Sequence, residues 1–341
     1  MKLLKEMCAI HAPSGNESGM TSFLLKYIEK NKKNWKVKPK VYSGDGFQDC
    51  IVLIFGKPKT AIFAHIDSIG FTVRYGKQLV KIGGPRLIEG MNLVGEDSKG
   101  KIECKLSINK EGAISYKYKR EIERGTELTF KPEWRETKDY VQCCYMDNRL
   151  GVWNALQVAE TLKNGAIVFS CYEEHGGGTV SFIQKFLFEK YKIKQSLISD
   201  ITWVTEGVPH GKGVAISLRD SLIPRRSYVN KIVDIANQKI RAMRTRHQEN
   251  MSDAERHIGL LHNSMERVVN AKTSGTHTKA LNTMKDIYTG TVQGRSSKTN
   301  QFVSPSEHAG LHYGAQKSRN LKILAKQVRD LVTSKIKRNK K

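Results

Sequence analysis

Four short stretches of this chain set histidine or acidic residues just past apolar, β-forming runs: Ala64-His65-Ile66-Asp67, Tyr145-Met146-Asp147-Asn148-Arg149, Tyr172-Glu173-Glu174-His175-Gly176 and Ile198-Ser199-Asp200. Neutral imidazole and carboxylate bind divalent cations at ~2.0 to 2.2 Å. A carboxylate also has two oxygens with which to bridge two such ions. Two cations ~3.5 to 4 Å apart acidify one water and grip the oxygen of the bond it attacks. Taken together, these residue types predict hydrolysis at a centre of two divalent metal ions. Each stretch by itself reads more readily as a cap or turn, where Asp and Glu are ordinary. Their shared context favours a site, because ligands of open α/β sheets gather beyond the carboxyl ends of the strands.

His65 and Asp67 stand two positions apart in an extended segment, so their side chains point to one side. Asp67 is then placed to accept a hydrogen bond from the imidazole nitrogen that faces away from metal, fixing the ring's tautomer. The competing reading is a His and an Asp on an exposed strand face. Glu173 and Glu174 are adjacent and point opposite ways in an ideal strand, but Gly176-Gly177-Gly178 allow a bend. The economical assignment makes Glu174 a ligand and Glu173 the general base. The alternative is an acidic pair capping the helix that starts near Thr179.

The elements that must position these residues are legible in the apolar pattern. A turn at Ala12-Pro13-Ser14-Gly15-Asn16 leads into a helix with Met20, Phe23, Leu24, Tyr27 and Ile28 on one face. Ile51–Phe55 and Thr60–Ala64 read as buried strands. From 72 to 140, short alternating segments such as Lys101–Ile108 and Ala113–Tyr118 predict a small β-barrel or sandwich inserted into an α/β domain. Val152, Leu156, Ala159 and Leu162 mark a helix after Asp147. Ala166–Cys171 is a strand, and Val180, Ile183, Phe186 and Leu187 mark the next helix. Leu197-Ile198 is an apolar strand running into Asp200. Strand, acid, helix, strand, acid is the rhythm of a doubly wound sheet with its chemistry at one edge. The expected fold is therefore α/β, a doubly wound mixed sheet flanked by helices with an inserted barrel. The catalytic parts are 1–71 and 141–238, the insertion is 72–140, and an atypical segment occupies 239–341.

The chain has 341 residues, is 39% hydrophobic and carries a net charge of +25. Its six cysteines show no C-x-x-C spacing, which predicts reduced, buried thiols. Charges interrupt the first residues, no apolar run approaches the ~20 residues of a membrane span, and the expected location is the cytoplasm. The charge is uneven. From Lys239 onward there are 21 Lys and Arg against 7 Asp and Glu, a net +14, leaving +11 for the first 238 residues. Leu, Ile, Val and Phe make up 19 of those last 103 residues, too few for a charged segment to fold readily, so partial disorder is expected there. Leu321, Leu324, Val328, Leu331 and Val332 suggest one final helix, and His308 and His312 have helical spacing.

With these residues in view, the chain resembles the TET-type (tetrahedral) co-catalytic metalloaminopeptidases, a family that includes glutamyl aminopeptidases and proteins once labelled endoglucanases. The resemblance covers about residues 1 to 238. It rests on Ala12–Glu17, Ala64–Phe71, Met146–Gly151, Glu173–Gly176, Ser199–Thr202 and Gly211-Lys212-Gly213. It implies that Asp147 bridges two metals, with His65 and Asp200 on one and Glu174 on the other. It further implies Glu173 as general base and Asp67 as the residue orienting His65. The metals would be zinc, or cobalt or manganese, the substrates short peptides trimmed from the amino end, and the 72–140 insertion a builder of large homo-oligomers.

The family closes its second metal shell with a late histidine in a His-Thr-Pro or His-Ser-Pro setting, after a Gly-Gly-Ser/Thr-Asp segment. This chain has neither, and Thr276-His277-Thr278 lacks the proline. Residues 239–341 therefore read either as an alien ending left by frameshift or fusion, the preferred account, or as a basic extension that binds nucleic-acid phosphates. The expected function is a metal-dependent aminopeptidase, impaired if the last ligand is missing. The alternative is an inactive peptidase-like protein with a nucleic-acid-binding tail.

Overall fold

Three apolar runs, Ile51–Phe55, Ala61–His65 and Gly165–Ser170, are buried along their whole length and lie side by side in the middle of one sheet. The computed structural model of the protein describes residues 1–248, apart from 177, 206, 209–210, 212 and 220–222, together with 315–316. The chain divides into two compact units, Met1–Ser217 with Pro305–Lys341, and Leu218–Ser304.

In chain order the first unit opens with α1 (Lys2–Cys8) and α2 (Ser18–Asn31), followed by β1 (Lys40–Tyr42), β2 (Ile51–Phe55) and β3 (Ala61–His65). Six strands follow: β4 (Gly70–Val73), β5 (Leu79–Ile82), β6 (Asn92–Asp97), β7 (Gly100–Ile108), β8 (Ile114–Lys117) and β9 (Glu127–Phe130). Short strands β10 (Arg135–Glu136) and β11 (Tyr140–Gln142) lead to α3 (Met146–Ala159), β12 (Gly165–Ser170), α4 (Val180–Tyr191) and β13 (Ser196–Ile198). In the second unit α5 spans Arg226–Gln248 and so crosses the composition change near Gln238. The two-residue β14 (Ala315–Gln316) pairs with β11. The expected helix at 321–332 and the histidines at 277, 308 and 312 lie outside the described residues.

The central sheet has the order β1-β2-β12-β3-β13. β2 meets both β1 and β12 antiparallel, while β12, β3 and β13 run parallel, so the sheet is mixed. Helices flank it and add narrow apolar faces to the same core: Leu4, Met7 and Cys8 of α1, Met20, Leu24 and Ile28 of α2, and Ile183 and Leu187 of α4 are buried. Phe23 and Tyr27, expected on the inner face of α2, are only partly buried at its flank. Each fully buried Leu, Ile or Phe stabilises the fold by about 1.5 to 3 kcal/mol relative to exposure. Ile198 departs from the expectation of a buried strand: it is 74% exposed, because β13 pairs only with β3 and forms the sheet's edge among the described residues.

The strands β4 to β9 form a separate antiparallel sheet in the order β5-β4-β9-β6-β7-β8. A bridge between Gln78 and Ser115, beside its two edge strands, nearly closes it into a barrel. The alternation that predicted it is visible in β7, where Ile102, Cys104 and Leu106 point inward and Lys101, Glu103 and Lys105 outward. Phe71 and Phe130 meet edge-to-face inside it. Asp97 accepts two hydrogen bonds from the Arg120 guanidinium, at 2.6 and 2.7 Å. All six cysteines are free and buried. No helix among the described residues is long and apolar enough to cross a membrane.

Candidate metal centre

Because β3, β12 and β13 are parallel, their carboxyl ends open on one edge of the sheet. His65 ends β3 in register with Ser170, which ends β12, and Glu173 and Glu174 follow shortly after. Ser199, just past β13, donates its N–H to the Phe63 carbonyl at 2.7 Å and so holds Asp200 at the same edge.

Asp147 arrives from the helical layer. Tyr145 has a left-handed φ of 67°, and Asp147 and Asn148 depart from helical φ/ψ, so the regular part of α3 begins after them. The peptide bond between Asp147 and Asn148 is cis. The Asn148 amide donates to the Ser199 carbonyl at 2.9 Å, and its Oδ1 accepts from the Gly151 N–H at 3.0 Å. The start of α3 is thereby tied to the segment that carries Asp200.

All six residues singled out in the sequence come to this edge. His65 Nε2 lies 3.0 Å from Asp147 Oδ1, 3.7 Å from Glu173 Oε2 and 3.9 Å from Asp200 Oδ1. One donor atom each of His65, Asp147 and Glu174 fall within 4.8 Å of one another. Glu173 and Asp200 approach the same imidazole nitrogen but stand outside that closest group of three. The other ring nitrogen, Nδ1, faces Asp67 Oδ1 at 3.3 Å. Side-chain exposure rises from nothing at Asp67 and 2% at His65, through 25% at Asp147 and 33% at Asp200, to 48% at Glu173. The group therefore runs from an enclosed floor at Asp67 and His65 to a solvent-facing side at Glu173.

Electrostatics follow from packing several carboxylates around one imidazole. Burial, reinforced by the negative charge of Asp147, pushes the Glu174 carboxyl up to about 8. Burial and Asp147 likewise push Asp200 up to about 7. Burial opposes the charged form of His65, but Asp147 and Asp67 outweigh it and hold the imidazole well above its ordinary value. Burial also opposes ionised Asp67, yet His65 and then Ser14 keep it below the usual carboxylate range.

The donor set fits divalent cations. Glu174 Oε1 is buried and makes no hydrogen bond among the described residues. The charge of Asp147 raises the pKa of both Glu174 and Asp200, and carboxylates crowded in this way favour a cation among them. Imidazole and carboxylate donors suit zinc, cobalt or manganese without choosing among them.

Several supporting residues had no role in the sequence reading. Ser14 Oγ donates to Asp67 Oδ2 at 2.6 Å, and the Glu174 backbone N–H donates to the same oxygen at 3.0 Å. Glu17, fully buried, accepts from the Gly15 N–H at 3.0 Å and the Tyr172 N–H at 3.1 Å. The N-terminal turn thus braces both the Asp67 and Glu174 segments. Gly83, at the end of the β4–β5 hairpin, has φ of 70°, and an added Cβ would lie 2.8 Å from the Glu174 carbonyl oxygen. Its N–H donates to His175 Nδ1 at 3.1 Å, so the barrel buttresses the Glu173-Glu174 loop. Ser14 and Glu17 sit in the turn read as a helix entry and as part of the family resemblance, without a role of their own, and no local pattern marks a side chain that reaches Asp67 across 53 positions.

Among solved structures, an aminopeptidase from the archaeon Desulfurococcus kamchatkensis is similar at a TM-score of 0.56 and 20% identity, covering 70% of this chain and 76% of that one. A TET aminopeptidase from a marine-sediment Thaumarchaeota archaeon gives a TM-score of 0.60 at 14% identity, covering 70% and 78%. The TET1 peptidase of Pyrococcus horikoshii gives 0.56 at 20% identity, covering 70% and 81%. At these identities the likeness is one of fold. No curated protein sequence matches. The family model for M42 glutamyl aminopeptidases matches residues 95–291, more than half of the chain, and includes Asp147, Glu173, Glu174 and Asp200. His65 and Asp67 precede the matched region. On that match the chain belongs to the M42 glutamyl aminopeptidase family of metal-dependent peptidases.

Proposed function

We propose that the protein removes amino-terminal residues from short peptides at a centre of two divalent cations. His65, Asp147, Glu174 and Asp200 would hold them. The observation that carries this reading is the meeting of His65, Asp147 and Glu174 donor atoms within 4.8 Å, with Glu173 and Asp200 beside them. Bound there, the cations supply the Lewis acidity that ionises water near neutral pH and polarises the scissile carbonyl.

The chain's own residues have separable tasks. Glu173, the most exposed of the group, takes the proton of the attacking water and passes it to the leaving amine. Asp67 receives hydrogen bonds from Ser14 and the Glu174 backbone and turns its other oxygen to His65 Nδ1, so that Nε2 points at the carboxylates. The enclosed floor keeps bulk water from the ligands and strengthens their electrostatics.

We assign residues 1–71 and 141–238 to the catalytic body and 72–140 to oligomerisation. Relatives of the same fold include a dodecamer and a peptidase that assembles into a tetrahedron or a large octahedral shell. By analogy this chain assembles as a homo-oligomer through its barrel. Zinc is the expected resident ion, with cobalt and manganese as substitutes, and the cytoplasm the expected location.

The test is release of free amino acid from aminoacyl p-nitroanilides and short peptides by full-length protein supplied with zinc, cobalt or manganese. Glu173→Gln should lower kcat by ~10²- to 10⁴-fold while metal uptake persists. No release with any of the three ions would reject the reading.

A further inference from the structure

Arg149 is among the largest side chains that are fully buried, yet it is poorly satisfied. Its guanidinium donates through Nη1 alone, to the carbonyl oxygens of Ile66 and Asp67. Nε and Nη2 have no partner among the described residues. A desolvated cation with idle donors detracts from stability, and an apolar side chain of similar volume packs as well or better. Folding alone therefore does not account for an arginine here.

Its position does. Ile66 and Asp67 form the loop that leaves β3 directly after His65, whereas Arg149 lies two residues past Asp147 at the start of α3. His65 and Asp147 are 82 positions apart, come from different layers, and must meet at 3.0 Å. Among the described residues, the Arg149 side chain bonds directly from one of these segments to the other. Its charge also acts on Asp67 and Glu174 from a fully buried position.

We propose that Arg149 is a positioning residue. It clamps the β3 loop to the start of α3 and so fixes the separation of His65 and Asp147 before a cation arrives. This rests on reading the cluster as a metal centre.

The experiment uses full-length wild type, Arg149→Met and Arg149→Lys, stripped of metal and reloaded with Co²⁺. Affinity is read by titration calorimetry, geometry by the cobalt absorption spectrum, and folding by thermal unfolding of the metal-free proteins. Arg149→Met should unfold near the wild-type temperature, because the lost carbonyl bonds and the relieved desolvation offset each other. Its cobalt affinity should fall by roughly 10- to 100-fold, as for other residues that orient ligands, with an altered spectrum. Arg149→Lys keeps the charge without the fork and should fall between.

Cobalt affinity within twofold of wild type and an unchanged spectrum in folded Arg149→Met would overturn the proposal. If that variant does not fold, Arg149→Lys decides by the same criteria, and failure of both to fold would make Arg149 a folding residue and overturn it as well. Wild type that binds cobalt but cleaves no aminoacyl substrate would refute the peptidase reading alone. Wild type that binds no cobalt would refute both.

Discussion

Replacing Asp67 by asparagine changes one atom and one charge at a fully buried position, and the contacts define what must follow. Oδ2 accepts from Ser14 Oγ at 2.6 Å and from the Glu174 N–H at 3.0 Å, so the introduced amide must present its oxygen to those two donors. Its NH₂ then replaces Oδ1, 3.3 Å from His65 Nδ1. Two donors cannot face each other, so Nδ1 must give up its proton and become the acceptor. The proton moves to Nε2, removing the lone pair from the nitrogen that faces Asp147, Glu173 and Asp200. Restoring the metal-binding tautomer would set two buried donors against each other with neither satisfied, which costs about 1 to 3 kcal/mol. At about 1.4 kcal/mol per decade, the expected loss in metal affinity is roughly 10- to 100-fold. Titration calorimetry of the metal-stripped variant with Zn²⁺ or Co²⁺, with chelator competition for tight binding, measures it. Ser14→Ala is the comparison, since it removes a partner of Asp67 without inverting the contact to His65, and it should have the smaller effect. Equal affinities for wild type and Asp67→Asn would refute the tautomer argument.

Metal-free protein should lose stability as pH rises from about 4.5 to about 8, because Glu174 holds its proton in the folded state up to about 8 whereas its ordinary value is 4.5. The folded state then binds more protons than the unfolded one, the slope is negative, and it is bounded at about 1.4 kcal/mol per pH unit for each such group. Urea midpoints of chelator-treated protein at pH 5, 7 and 9 check the sign, and a midpoint that rises across this range contradicts it. Metal affinity should increase over the same range, since binding displaces those protons. Gly151→Ala puts a methyl where the Ser199 carbonyl oxygen and Asn148 Oδ1 already lie. It should destabilise the fold by about 1 to 3 kcal/mol and weaken metal binding by displacing Asp200. A thermal shift with unchanged metal affinity would separate packing from the site.

Much of the candidate site was legible in the residues because its donors follow apolar runs that form strands on their own terms. Ile51–Phe55, Ala61–His65 and Gly165–Ser170 are short, continuous and apolar, which fits buried strands, and the acids come where such strands end. The period-two pattern of Lys101–Leu106 likewise announced an amphipathic barrel strand. The two-residue spacing of His65 and Asp67 was enough to suggest that both project toward a common side.

What one dimension did not contain is the order of strands and the reach between layers. β12 inserts between β2 and β3 although more than ninety residues of chain separate it from them, and only that pairing aligns Ser170 with His65. The roles of Ser14, Glu17 and Arg149 depend on partners 53, 155 and 83 positions away. Local propensity decided which segments become strands and helices, because each depends on neighbours within a few residues. The gathering of His65, Asp147, Glu174 and Asp200 was decided by strand register and by the packing of α3 on β3, since a hydrogen-bonded ladder fixes position in space with no trace in the spacing of the sequence.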